Sequence, residues 1–214
     1  MTEPDLSAAY GLSGPDATLK LYRDWAKTYD QSFAGAMDYR LPAHVARAFL
    51  AAGGEGPVLD VGAGTGLLAE RLREMGFRGE IDALDLSPEM LAEAGEKQLY
   101  RHLIAADVTQ PLPLPEATPY RGIASSGTFT NGHVGPEGLP PLVAAAAPGA
   151  LFALSVNRKH WAGTDFEAAL TALAGAGAIR DLQVIDVEIY GKAAAERDPG
   201  HAGDLAAIVL FHKA

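Results

Sequence analysis

The sequence predicts an α/β domain built on a seven-stranded, mostly parallel sheet with helices on both faces and an antiparallel C-terminal strand. Three observations predict it. From residue 57 onward, short apolar runs of strand length alternate with amphipathic stretches of helical period, as parallel strands joined by crossover helices require. One of these runs, VLDV at 58–61, passes directly into GAGTG and then into a helical stretch, which is how an open sheet offers its backbone to a small ligand. The last two runs, DLQVIDVEIYG and DLAAIVLFHK, are joined by the polar segment KAAAERDPGHAG with no helix between them, which makes them an antiparallel pair at one end of the sheet.

Taken in order, residues 1–15 are small, polar and rich in Gly and Pro, and read as a flexible lead-in. Leu19, Tyr22, Trp25, Ala26, Tyr29 and Phe33 then fall at helical spacing and predict a helix with an aromatic face. A second helix begins at Pro42, carries Val45, Ala48 and Phe49, and stops at the breaker GGEGP of 53–57. PVLDV is the first strand and a helix follows over about 65–75. EIDALDL is the second strand, and Ser87 caps the next helix with Pro88 at its first position. HLIAAD and YRGIASS are the third and fourth strands, a helix covers about 136–147, and GALFALSVN is the fifth strand. A helix over about 164–174 precedes the final pair. The expected division is a leader and helical lid over 1–40 and a single α/β domain over 41–214.

Composition narrows the function. A length of 214 residues suits one sizeable core, and the proportions of 48% hydrophobic and 21% charged residues are those of a packed globular fold. A formal net charge of -10 works against a polyanionic partner, so nucleic acid is not expected. The absence of cysteine excludes disulfides, thiol nucleophiles and Cys-ligated metals, and no two histidines have ligand spacing beside an acid, so no metal is expected. No run of 18 apolar residues occurs, and MTEPDLSAAYGLSG lacks a basic segment leading into an apolar one. No membrane association and a cytoplasmic location are expected.

The glycine loop carries the chemistry. A dinucleotide fingerprint needs a third glycine at position 67, which is Leu67, and no Gly-Lys-Ser/Thr follows for a phosphate loop. The glycines are instead Gly62, Gly64 and Gly66, with Asp60 at the strand end. A carboxylate there repels a pyrophosphate but suits an ammonium group.

DVGAGTG resembles the first motif of the class I methyltransferases that use S-adenosylmethionine, and the resemblance runs along the chain from Asp16. It implies a Rossmann-like fold and S-adenosyl-L-methionine as cofactor. In DALDLSPEM it implies that Asp85 holds both ribose hydroxyls, with Leu86 and Met90 flanking the adenine. In IAADVTQPLP it brings Asp107 to the adenine amine and Val108 over its ring. Ser125, at the end of the fourth strand, completes the expected cofactor contacts. LYRDWAKTYDQSF and GTFTNGHVGPEGLPPL resemble segments of the Williams-Beuren-region methyltransferase-like group, which implies a methyltransferase without an established substrate.

In an open α/β sheet the acceptor lies beyond the carboxyl ends of the strands, which here means SSGTFTNGHV, SVNRKHW and the N-terminal aromatic helix. His133 is the candidate general base, because an imidazole titrates near neutrality. The alternative is a solvated or helix-capping histidine. Asn157 and His160 are candidates for the pocket wall. Trp25 and Tyr29, four apart, either pack on the sheet edge or close over the methionine end of the cofactor, with Tyr29 supplying a hydroxyl. The expected function is methyl transfer from S-adenosylmethionine to a small-molecule acceptor by a monomer or homodimer. The competing readings are a non-catalytic adenosylmethionine-binding sensor and a protein or nucleic-acid methyltransferase.

Overall fold

The computed structural model describes residues 35, 37–115, 119–192, 194, 199–201 and 203–214. The aromatic helix with Trp25 and Tyr29, and with it the expected lid, lies outside the described residues. Helix α1 (Leu41–Ala51) has Pro42 in its first turn and buries Val45, Ala46 and Phe49. After it come β1 (Val58–Val61), α2 (Leu67–Glu74), β2 (Ile81–Asp85), α3 (Pro88–Glu96) and β3 (Leu103–Ala105). The chain continues through β4 (Tyr120–Phe129), α4 (Leu139–Ala145), β5 (Ala146–Asn157), α5 (Arg158–Gly163), α6 (Phe166–Gly175), β6 (Ile179–Glu188) and β7 (Leu205–Lys213).

The seven strands form one sheet in the order β3-β2-β1-β4-β5-β7-β6. β1 to β5 run parallel, while β7 is antiparallel to both β5 and β6. The strand order reverses between β1 and β4, which opens a crevice at their carboxyl ends. Register brings the functional ends level: Val61 pairs with Leu84 and Ser125, and Asp85 with Ala105.

Alternation along the strands sorts the core into two layers. Phe152, Leu154 and Val156 of β5 meet Leu139 and Leu142 of α4 and Phe166 and Leu170 of α6 on one face. Leu151 and Ala153 meet Phe49 of α1 and Leu68 and Leu72 of α2 on the other. Phe152 stacks on Phe211 of β7 with centroids 4.4 Å apart, locking the antiparallel strand to the parallel sheet. Among the described residues no helix is long and apolar enough to cross a membrane.

Three local readings are revised. A helix expected to run to 147 ends at Ala145, because Ala146 already pairs with Tyr120. The fourth strand continues past Ser126 to Phe129 through a register shift at the left-handed Gly127. α5 had not been expected: Asn157 caps it, its side chain accepting from the Lys159 and His160 N–H groups. Packing also crosses the expected boundary at 40, since Met37 shares a cluster with Leu41, Ile189 and Tyr190, and Tyr39 bridges to Tyr190.

Candidate active site

The turn after β1 is held from below. Gly62 and Ala63 donate to the Leu84 carbonyl at 2.7 and 3.1 Å, and Gly64 N–H donates to Asp85 Oδ2 at 2.8 Å. Gly62 has φ +63°, and a Cβ there would overlap the Thr128 side chain, whose hydroxyl donates to the Val61 carbonyl at 2.8 Å. Gly64 has φ +55° and nothing within 4 Å of an added Cβ, because it borders open space. That space is a cavity of about 390 Å³, within the range of small-ligand sites.

Three strand-end acids line it: Asp60, Asp85 and Asp107. Asp60 is buried; Tyr100 donates to its Oδ2 at 2.7 Å, and Oδ1 has no partner among the described residues. Burial, opposed by the Tyr100 hydrogen bond and assisted by the charge of Asp85, pushes its carboxyl up to about 7. Burial likewise raises the Asp85 carboxyl, against hydrogen bonds from the Ser87, Gly64 and Leu86 N–H groups. Each Asp85 oxygen accepts one of these at 2.8 Å, from Ser87 to Oδ1 and from Gly64 to Oδ2, which leaves lone pairs for a further donor. Asp107 turns its own loop, with Oδ1 accepting from Thr109 N–H and hydroxyl at 2.9 and 2.7 Å. Leu86, Met90 and Val108 supply apolar wall between the acids.

The far end of the cavity is lined by Tyr39, Ser126, Thr128, His133 and Glu137. His133 Nδ1 lies 3.1 Å from the Asn131 carbonyl oxygen and therefore donates, which leaves Nε2 as the acceptor nitrogen of a neutral ring. Burial, opposed by the Asn131 carbonyl and assisted by His160, lowers its pKa and keeps the ring neutral.

Four expected contacts are not part of the cavity wall. Gly66 caps α2 in the left-handed region, and a Cβ there would meet the Tyr100 ring at 3.1 Å rather than a ligand. Ser125 is fully buried and donates to the Val61 carbonyl at 2.8 Å; the adjacent Ser126 faces the cavity, and its hydroxyl has no partner among the described residues. Asn157 is occupied by its capping role. His160 clamps the loop that carries His133: its Nε2 donates to the Val134 carbonyl at 2.9 Å, and its Nδ1 faces the Asn131 amide at 3.2 Å. Conversely, Tyr39, Ser126, Thr128 and Glu137 had not been singled out. A strand alternation counted one residue on would have found Ser126, whereas Tyr39 reaches the cavity only through tertiary packing.

An open α/β sheet with a glycine turn, acids in place of phosphate-binding groups, and apolar wall between them defines the S-adenosylmethionine-dependent methyltransferases of class I. The chain belongs to that family. Residues 58–147 match a methyltransferase domain. The chain is 34% identical over 171 residues to methyltransferase-like protein 27 of Homo sapiens, a match that spans 77% of this chain and 67% of that protein. The fold is also that of the [4+2]-cyclase SpnF (TM-score 0.67, 18% identity, 94% and 97% of the two chains). A further neighbour is the N-methyltransferase NodS from Bradyrhizobium japonicum WM9 in complex with S-adenosylhomocysteine (TM-score 0.63, 15% identity, 92% and 98%). The donor set of the cavity fits S-adenosylmethionine: a buried carboxylate oxygen without a partner among the described residues suits an ammonium, the second carboxylate suits paired hydroxyls, and Met90 and Val108 suit a flat ring.

Proposed function

We propose that the protein methylates a small-molecule acceptor in the far end of this cavity. The observation that carries the reading is continuity: one cavity runs from Asp60, Gly64 and Asp85 to His133 and Glu137. When bound, S-adenosylmethionine supplies a methyl group already activated on a sulfonium, so the chain contributes alignment and exclusion of water. Asp60 binds the amino-acid end, Asp85 the ribose, and Asp107 with Leu86, Met90 and Val108 the adenine. Gly62 and Gly64 bring the backbone close, and Ser126 takes the place expected of Ser125. His133 Nε2 accepts the proton of an acceptor hydroxyl or amine, and the neutral ring that burial enforces is the form this requires.

A net charge of -10 and a concave rather than flat acceptor region favour a small molecule over nucleic acid. The protein acts in the cytoplasm as a monomer or homodimer, with residues 41–214 as the methyltransferase domain. Incubating it with methyl-labelled S-adenosylmethionine in a metabolite extract should give a labelled small product that His133→Ala reduces about a hundredfold, the scale of a lost general base. Label recovered only in macromolecules, or tight cofactor binding with no product in any extract, would overturn the proposal.

A further inference from the structure

Asp60 is held by a residue outside the glycine motif. Tyr100 stands just before β3, forty positions along the chain, and is not part of the cavity wall. Its ring packs beside the buried Ala63, Ala83 and Leu91 and lies against Gly66, where an added Cβ would sit 3.1 Å from Cε2 and 3.3 Å from the hydroxyl oxygen. The third glycine of the motif thus makes room for this ring. From there the hydroxyl donates to Asp60 Oδ2 at 2.7 Å, which leaves Oδ1 as the oxygen without a partner among the described residues.

We infer that Tyr100 is a positioning residue for cofactor binding: by fixing Oδ2 it presents Asp60 Oδ1 to the ammonium of the amino-acid end. The inference rests on the reading of Asp60 given above. A carboxylate free to rotate in a buried site would share its charge between two orientations, whereas one oxygen anchored by a phenol leaves a single acceptor direction. The same hydrogen bond opposes the rise that burial and Asp85 impose on the Asp60 carboxyl. The charged and titratable groups around the pair are Asp85 of β2, Glu70 of α2 with its partner Lys97 beyond α3, Arg73 of α2, which reaches the Leu99 carbonyl at 3.3 Å, and Asp107, His133 and Glu137 on the cavity wall. Of these, Asp85 acts on both members of the pair and Glu70 on Tyr100.

The test is calorimetric and needs no acceptor. S-Adenosylhomocysteine carries the ammonium, and 5'-methylthioadenosine lacks the amino-acid end, so the two ligands separate effects on Asp60 from effects on the loop. Tyr100→Phe keeps the ring and removes only the donor. It should weaken S-adenosylhomocysteine about tenfold at pH 7, leave methylthioadenosine unchanged, and move the acid-side loss of S-adenosylhomocysteine affinity to higher pH, with part of the loss persisting once Asp60 is ionised because its orientation is no longer fixed. Asp60→Asn should flatten that pH profile and erase the difference between Tyr100 and Phe at this position. Equal weakening of both ligands, or a pH profile that tracks the parent, would overturn the role of Tyr100. An Asp60→Asn protein that binds S-adenosylhomocysteine like the parent at every pH would instead overturn the reading of Asp60 itself.

Discussion

Gly62 and Gly64 share a left-handed backbone but not an environment, and single substitutions should separate their roles. An alanine at 62 is strained and must displace Thr128, whose hydroxyl ties β4 to the Val61 carbonyl. Gly62→Ala should therefore cost about 2 to 3 kcal/mol of stability, the scale of local backbone strain with a lost contact. An alanine at 64 is strained but meets no protein atom. Gly64→Ala should cost only about 1 kcal/mol of stability while weakening S-adenosylhomocysteine by more, since its methyl points into the cavity. Urea unfolding and calorimetry on both variants check this; equal stability losses would show that both glycines serve only the turn. At this scale Asp85 and Asp107 were legible because each closes an apolar run before a turn, and Asp60 because it interrupts one two residues before the glycines. Ser126 was not, because two adjacent serines differ only in which face the strand gives them. Tyr100 was hidden for another reason: its partner is forty residues away, beyond any local period.

The strands are aligned at their amino ends by a polar cluster opposite the site. Asp82 of β2 is fully buried, with Oδ1 accepting from Arg101 Nε at 3.0 Å and facing His102 Nδ1 at 3.1 Å. Its Oδ2 accepts from Arg101 Nη2 and the Tyr120 hydroxyl, each at 2.7 Å, so one carboxylate ties β2 to the chain entering β3 and to the start of β4. Burial alone would raise this carboxyl, but hydrogen bonds from Arg101 and Tyr120 and the charges of Arg101 and His102 hold it below the ordinary range. Its stabilisation is present above the unfolded carboxylate value near 4 and is lost as pH falls through the lower folded value. Asp82→Ala should cost about 3 kcal/mol, the low end for a broken buried pair because Arg101 keeps some exposure, and should blunt the acid limb of unfolding. A loss below about 1 kcal/mol by urea titration would show the cluster to be surface decoration. The element boundaries show the same tertiary control. Ser87 was legible as a cap and accepts from Met90 N–H at 3.2 Å. Asn157 was not, because the short α5 it opens has too little periodicity to announce a helix. Helix propensity extends the helix through the alanine run at 144–147, but pairing with β4 claims Ala146 for the sheet.

Across the whole molecule, the alternation of strand and helix fixed the sheet's direction and the antiparallel end, since neither depends on distant contacts. The packing of Met37 and Tyr39 against Ile189 and Tyr190 depends on residues some 150 positions apart and could not be read from pattern. Global stability should report the cost of keeping Asp60 ready for a ligand. Burial pushes its folded carboxyl up to about 7, well above the ordinary carboxylate range, so the folded chain holds this proton more tightly than the unfolded chain does. The corresponding stability is fully present below the unfolded value and is lost as pH rises through about 7. The parent protein without ligand should accordingly lose a few kcal/mol of unfolding free energy between pH 5 and pH 8, the order set by about 1.4 kcal/mol per pH unit. Self-repulsion from a net charge of -10 adds a slope of the same sign, but Asp60→Asn retains nearly all of that charge and loses only the local contribution. The difference between the two urea series therefore isolates Asp60, and the Asn variant should be flatter through this interval. Saturating S-adenosylhomocysteine should stabilise the parent more at pH 8 than at pH 6, because its ammonium binds the ionised form, while the Asn variant should gain equally at both. Parallel pH slopes for parent and variant would mean that Asp60 titrates as an ordinary carboxylate and that the buried acid is no reserve for ligand binding.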